Sequence, residues 1–177
     1  MEAPATPHAT ASGPYQTVTA TARTNDTRRD DEREITALFA NLLDDWARGD
    51  GGSYGSRFTE TVEYVAFDGS LTQGREAVAK SHQALFDRWL KGTRLTGQIE
   101  SIRFLGAATD VALIHATGST ILAGEERPRR SRDSIQTLVV VKDRGAWRIT
   151  AFHNGRILRR APWQWALFAI WEKIWRR

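Results

Sequence analysis

Trp147-Arg148-Ile149-Thr150-Ala151-Phe152-His153-Asn154-Gly155-Arg156 decides the fold, because an alternating apolar strand here ends in an imidazole, an amide and a guanidinium. Side chains alternate along a strand, so Trp147, Ile149, Ala151 and His153 share one face, while Asn154 and Arg156 leave from the other. Three apolar positions leading to one histidine put a titratable group at the rim of a buried sheet face, as the wall of a pocket would. The competing reading is a core histidine that donates to a backbone carbonyl. Asp143-Arg144-Gly145, just upstream, is a tight hairpin turn, so the preceding strand pairs antiparallel with this one.

Working outward, β-branched and apolar runs predict strands over about 94–105, 109–122, 133–142 and 146–156, a four-strand meander. The link from Gly124 to Arg132 carries Glu125, Glu126, Arg127, Arg129 and Arg130 and reads as a solvated loop. Before the meander, a helix from about Arg75 to Leu90 turns Val78, His82, Leu85, Phe86 and Trp89 inward. Thr61 to Phe67 reads as a strand closed by the turn pair Asp68-Gly69, and Ser53 to Phe58 as a short helix. The fold is expected to begin at Asp30 with a long helix whose stripe is Ile35, Leu38, Phe39, Leu42 and Trp46. Asp30, Asp31, Glu32 and Glu34 suit the first turn of that helix, and Gly49, Gly51 and Gly52 stop it. Helices segregated from a run of antiparallel strands define an α+β class: helices on a strongly bent, mainly antiparallel sheet, forming a cone with a cavity.

Composition narrows the chemistry. The 177-residue chain has no cysteine, which excludes disulfides, thiolate catalysis and cysteine-held metals. No window approaches the roughly twenty apolar residues of a membrane span. No basic start precedes an apolar run, so a secretory signal is not expected and a cytoplasmic location is. Arg159, Arg160, Lys173, Arg176 and Arg177 against Glu172 account for the whole net charge of +4. Positive charge confined to one end is not the basic face of a nucleic-acid-binding domain, so no nucleic acid is expected as a partner. Residues 1–29 are poor in large apolar side chains and are expected to be a disordered tail. A pocket domain over 30–158 and an amphipathic extension over 159–177 complete the organisation.

Trp46-Ala47-Arg48-Gly49-Asp50, then Phe67-Asp68-Gly69 with Gly74-Arg75-Glu76-Ala77-Val78 and His82, then Trp147-Arg148-Ile149 leading to Phe152-His153-Asn154-Gly155-Arg156, carry a resemblance across roughly 32–157. In that order and spacing they resemble the nuclear transport factor 2-like, or SnoaL-like, superfamily, and most closely its SgcJ/EcaC branch. The resemblance implies a small cone-shaped homodimer and, for bacterial members, work in secondary metabolism. It implies no single reaction, since the superfamily holds polyketide cyclases, isomerases, dehydratases, epoxide hydrolases and proteins that only bind.

The candidate site follows from the elements. His82 lies between Val78 and Phe86 and faces the sheet, and His153 shares the Trp147 face. Both are expected to handle protons, with structural histidines as the alternative. His115 shares a face with Val111 and Leu113, and the sequence leaves open whether that face points inward. Tyr64 and Asp68 share a face and suit an isomerase-type base with its oxyanion donor, although Asp68-Gly69 is equally an ordinary turn. Gln136 and Asn154 are expected to orient a ligand between apolar walls made by Trp46, Phe67, Phe86 and Trp89. No preset histidine pair supports a metal, and the reading invokes neither metal nor cofactor.

The expected function is cofactor-independent acid–base chemistry of cyclase, isomerase or dehydratase type on a polyketide- or polyene-derived intermediate. The alternative is a non-catalytic binding or accessory protein assisting a biosynthetic synthase. Ala112, Ala116 and Gly118 form a small face expected to take a second copy, or else to pack under the helices. The stretch 161–177 holds Trp163, Trp165, Trp171 and Trp175 and is expected to pack on its own domain, dock a protein partner or lie on a membrane surface.

Overall fold

A computed structural model describes residues 25–106, 110–159 and Trp171. The order is α1 (Asn25–Arg48), α2 (Gly51–Ser56), β1 (Phe58–Val65), β2 (Leu71–Gln73), α3 (Arg75–Phe86), β3 (Arg94–Phe104) and β4 (Val111–Ile121). A 3₁₀ turn (Arg130–Arg132), β5 (Asp133–Asp143) and β6 (Ala146–Arg156) follow. The strands form one six-stranded sheet in the order β2-β1-β6-β5-β4-β3. Every neighbouring pair is antiparallel except β1 and β6, which run parallel. The α+β cone expected from the sequence is therefore present, with the extra short strand β2 at one edge. Among the described residues no helix is long and apolar enough to cross a membrane.

The helices cover one face of the sheet. Ile35, Leu38, Phe39 and Leu42 of α1 pack with Val78 of α3 over Val62, Ala112, Ile114, Ala116, Leu138, Val140, Trp147 and Ile149. Ala112 and Ala116 are wholly buried in this core. The small face expected to meet a second copy is thus the one under the helices, and that contact is ruled out. His115, on the alternate set of β4, stands on the opposite, outer face.

Local chemistry explains the recurring motifs. Gly49, at φ 67°, ends α1, and the Asp50 carboxylate accepts from Ser53 N at 2.8 Å to start α2. Glycine at 51 and 55 lets α2 lie against α3: a Cβ on Gly51 would sit 2.7 Å from the Ala79 carbonyl, and one on Gly55 2.6 Å from Ala79 Cβ. Gly74 N donates to the Val62 carbonyl at 2.8 Å and Arg75 Nε to the Phe58 carbonyl at 2.8 Å, tying α3 to β1. The hairpin before β6 has positive φ at both Arg144 and Gly145, as its two-residue turn requires.

Two expected boundaries differ. α1 begins at Asn25, so the acidic run falls inside the helix rather than in its first turn. Asp31 is buried there instead, accepting from Lys142 Nζ at 2.9 Å and Trp147 Nε1 at 3.0 Å, and so pins α1 to the sheet. α3 stops at Phe86, where the Asp87 N–H closes the helix on the Gln83 carbonyl.

Strand β6 contains the decisive irregularity. Val140 pairs with Ile149 but Val139 pairs with Ala151, so Thr150 is an extra residue. Such a bulge inverts the alternation beyond it. Trp147 and Ile149 point into the core, and after the bulge it is Phe152 that is buried.

Candidate functional site

A cavity of about 380 Å³ opens between the helices and the far half of the sheet. Its apolar side is built by Phe39, Leu42, Leu43 and Trp46 of α1, Leu85 of α3, and Leu95 of β3. Its deep wall holds Tyr54, Tyr64, His82 and Phe152, and its polar wall Ser134, Gln136, Asn154 and Arg156. A volume of this size suits a drug-sized organic ligand. Among the described residues no aspartate or glutamate lines it.

The deep wall is an aromatic cluster with one imidazole inside it. His82 stacks on Tyr54 (centroids 4.4 Å, 29°) and meets Tyr64 edge-on at 5.1 Å and Trp46 at 5.8 Å. Tyr64 stacks flat on Phe152 (4.6 Å, 8°). Nδ1 of His82 donates to the Val78 carbonyl at 2.9 Å, which fixes the tautomer and leaves Nε2 as the lone-pair nitrogen. No buried side-chain nitrogen or oxygen among the described residues lacks a partner, and Nε2 has none, so it is accessible from the cavity. Burial pushes the His82 pKa below its ordinary value near 6.5, only partly offset by the Val78 hydrogen bond, so the ring is neutral at pH 7. Burial raises the Tyr64 phenol to about 12 and also pushes the Tyr54 phenol well above its ordinary value, aided by its neighbour Tyr64. The two hydroxyls lie 3.4 Å apart. The arrangement offers one neutral base and a hydrogen-bonded pair of neutral phenols with one proton left to donate, enough for proton abstraction beside a carbonyl whose oxygen takes up the charge.

The polar wall is an ordered chain. Ser134 Oγ donates to the Gly118 carbonyl at 3.4 Å, and Gln136 Nε2 donates to Ser134 Oγ at 2.7 Å and to Asn154 Oδ1 at 3.1 Å. Arg156 lies over the Phe67 ring at 4.7 Å from its centroid.

The structure brings together His82, Tyr64, Trp46, Phe67, Gln136 and Asn154 of the residues expected from the sequence. Phe67 does so from the rim, 57% exposed. The others fall elsewhere. His153 is exposed on the outer face, because the bulge at Thr150 turned it out and turned Asn154 and Arg156 in. Asp68 is exposed, and Ser70 N and Oγ bind its carboxylate at 3.0 and 2.7 Å in a local turn, which holds its pKa low. His115 contacts Thr137 Oγ1 at 3.2 Å on the outer face. Phe86 is buried behind the wall, 5.1 Å from Trp46, and does not line the cavity. Trp89 lies beyond the end of α3 and is 82% exposed. Among the described residues no group of three or more ligating side chains is placed to hold a metal. The tryptophan-rich stretch 161–177 lies outside the described residues apart from Trp171.

Tyr54, Phe152 and Arg156 line the cavity but were not among the site residues expected from the sequence. Tyr54 sits in Gly51–Ser56, a helix too short to show a period, and the other two depend on the bulge.

Comparison with known proteins fits this geometry. The SnoaL-like domain model matches residues 35–155. A protein of unknown function with a cystatin-like fold from Nostoc punctiforme is 30% identical, with 84% of this chain and 98% of that one covered and a TM-score of 0.68. A candidate scytalone dehydratase from Novosphingobium aromaticivorans is similar at 20% identity, covering 76% and 89%, TM-score 0.63. Aln2 from a Streptomyces species is similar at 16% identity, covering 77% and 94%, TM-score 0.57. No curated protein matches the chain. The chain belongs to the SnoaL-like domain family, within the nuclear transport factor 2-like fold.

Proposed function

We propose that this protein catalyses a cofactor-independent proton transfer, of cyclase, isomerase or dehydratase type, on a polyketide- or polyene-derived intermediate of bacterial secondary metabolism. The observation that carries this reading is His82: a neutral imidazole with Nδ1 pinned to Val78 and Nε2 turned to an aromatic cavity beside Tyr54 and Tyr64. Nε2 takes the proton, and the phenol pair donates its one free proton to the oxygen that becomes an enolate. An imidazole whose pKa lies below the ordinary value is a weak base. Its substrate therefore carries an acidified C–H, one flanked by two carbonyls, which a poly-β-keto chain supplies. The likeness to a candidate dehydratase is in keeping with this class.

The test is hydrogen–deuterium exchange at the activated methylene of ethyl benzoylacetate, followed by NMR against the buffer background. Wild type accelerates exchange and His82→Gln abolishes the acceleration. The lack of a lining carboxylate among the described residues favours a second reading, a binding or accessory protein. Tight ligand binding with no accelerated exchange on any aryl β-keto ester selects that reading.

The homodimer belongs to the same proposal, expected through the exposed side of the sheet but without the buried Ala112 and Ala116. There Leu113, Val139 and Val141 stand half-buried beside Ile135, 44% exposed. Sedimentation that finds only monomer at micromolar concentration removes it. A cytoplasmic location, SgcJ/EcaC kinship and a partner- or membrane-docking role for 161–177 are carried as parts of the proposal.

A further inference from the structure

The polar end of the cavity has a definite sign. Other arginines near it are already paired: Arg132 and Arg129 with Glu125, the latter at 2.9 Å, and Arg159 with Asp133 at 2.9 Å. Arg156 has no carboxylate within salt-bridge distance among the described residues, and it is held from one side by the Phe67 ring. The hydrogen-bond chain next to it runs one way. Ser134 gives its proton to Gly118, and Gln136 uses its amide hydrogens on Ser134 and on the Asn154 oxygen. The amide nitrogen of Asn154 is what remains at the end of that chain. Asn154 and Arg156 are two apart on β6, on one face, both lining the cavity. That end therefore presents donors and a positive charge, with no lining carboxylate among the described residues to neutralise them.

We infer that Arg156, with Asn154 beside it, is the specificity residue of the cavity and selects an aromatic ligand that carries a carboxylate. The inference rests on the proposed small-molecule reading of the pocket. The ring system lies against Trp46, Tyr64 and Phe152, and the carboxylate meets the guanidinium and the Asn154 amide at the rim. A guanidinium matches a carboxylate with two parallel N–H donors, and charge-assisted bonds of this kind are stronger than neutral ones. Partial screening at the rim limits the gain, so a preference of about tenfold over a neutral analogue is expected.

The probes are 2-naphthoic acid and methyl 2-naphthoate, titrated into the full chain and followed by tryptophan fluorescence. Wild type binds the acid about tenfold more tightly than the ester, and salt weakens only the acid. Arg156→Gln brings the two affinities together, and Arg156→Lys restores part of the preference. Equal binding of acid and ester by wild type, or a preference that survives Arg156→Gln, overturns the inference and leaves the pocket reading standing. Binding of neither probe by protein with unaltered cooperative unfolding overturns the pocket reading and the inference together.

Discussion

Before Thr150, strand β6 sends Trp147 and Ile149 into the core; after it, Phe152 is buried, Asn154 and Arg156 line the cavity, and His153 faces out. The same division separates the histidines. His82 is enclosed by Trp46, Tyr54 and Tyr64, whereas His153 and His115 both stand opposite Thr137 in one row across β6, β5 and β4 on the outer face. The lesson is that a side chain's chemical opportunity is set by the face on which it stands rather than by its type, and on β6 one inserted residue sets that face. An imidazole inside has a fixed tautomer and lowered basicity; the outer two are surface groups.

Phe152→Ala attacks this contrast most directly. It removes the ring that the shifted alternation turns inward onto Tyr64 and leaves a hole in the deep wall. A loss of about 3–5 kcal/mol is expected, the cost of truncating a buried phenylalanine. Urea denaturation followed by circular dichroism measures it, and a wild-type midpoint would show that Phe152 does not face inward. Next in size is Tyr54→Ala, which removes a side chain that touches Trp46, Phe58, His82 and Phe86. It should cost about 3 kcal/mol on the same assay.

A smaller effect concerns pH. The folded-state pKa of His82 lies below its ordinary value near 6.5, so above that value both folded and unfolded chains hold the ring neutral and its contribution is fully present. As pH falls below about 6.5 the unfolded chain takes up the proton first, and stability drops until the folded-state pKa is passed. Thermal unfolding from pH 7.5 to 5 should show this slope, and His82→Gln should flatten it. Equal slopes in both proteins would show that His82 is not held neutral. Smallest of all, His153→Ala should change stability by no more than about 0.5 kcal/mol and leave naphthoate affinity unchanged. A tenfold loss of affinity would return His153 to the pocket and erase the contrast.

The long elements were legible because periodicity is local. The four meander strands, the α1 stripe and the inward position of His82 between Val78 and Phe86 all follow from spacing within one element. The faces beyond the bulge were not legible, since the shift exists only in the pairing of Val139 and Val140 with Ala151 and Ile149. Trp89 was misplaced because the helical stripe outlasts the helix, which closes at Asp87. At Asp68 the Ser70 hydrogen bonds decided for the turn over the site. Strand β2, of three residues, is too short to leave a pattern.

The parallel pairing of β1 with β6 fixes when the cavity can come into being. Thr59 Oγ1 donates to Thr150 Oγ1 across 91 positions, and such distant closure slows folding. During synthesis, β1 leaves the ribosome with one edge open and keeps it open until β6 follows. Until then the nascent chain offers a bare strand to any other extended segment nearby, a standing invitation to aggregate. A product halted before Arg156 has the imidazole but lacks the guanidinium, so quality control by length is also quality control of the binding site.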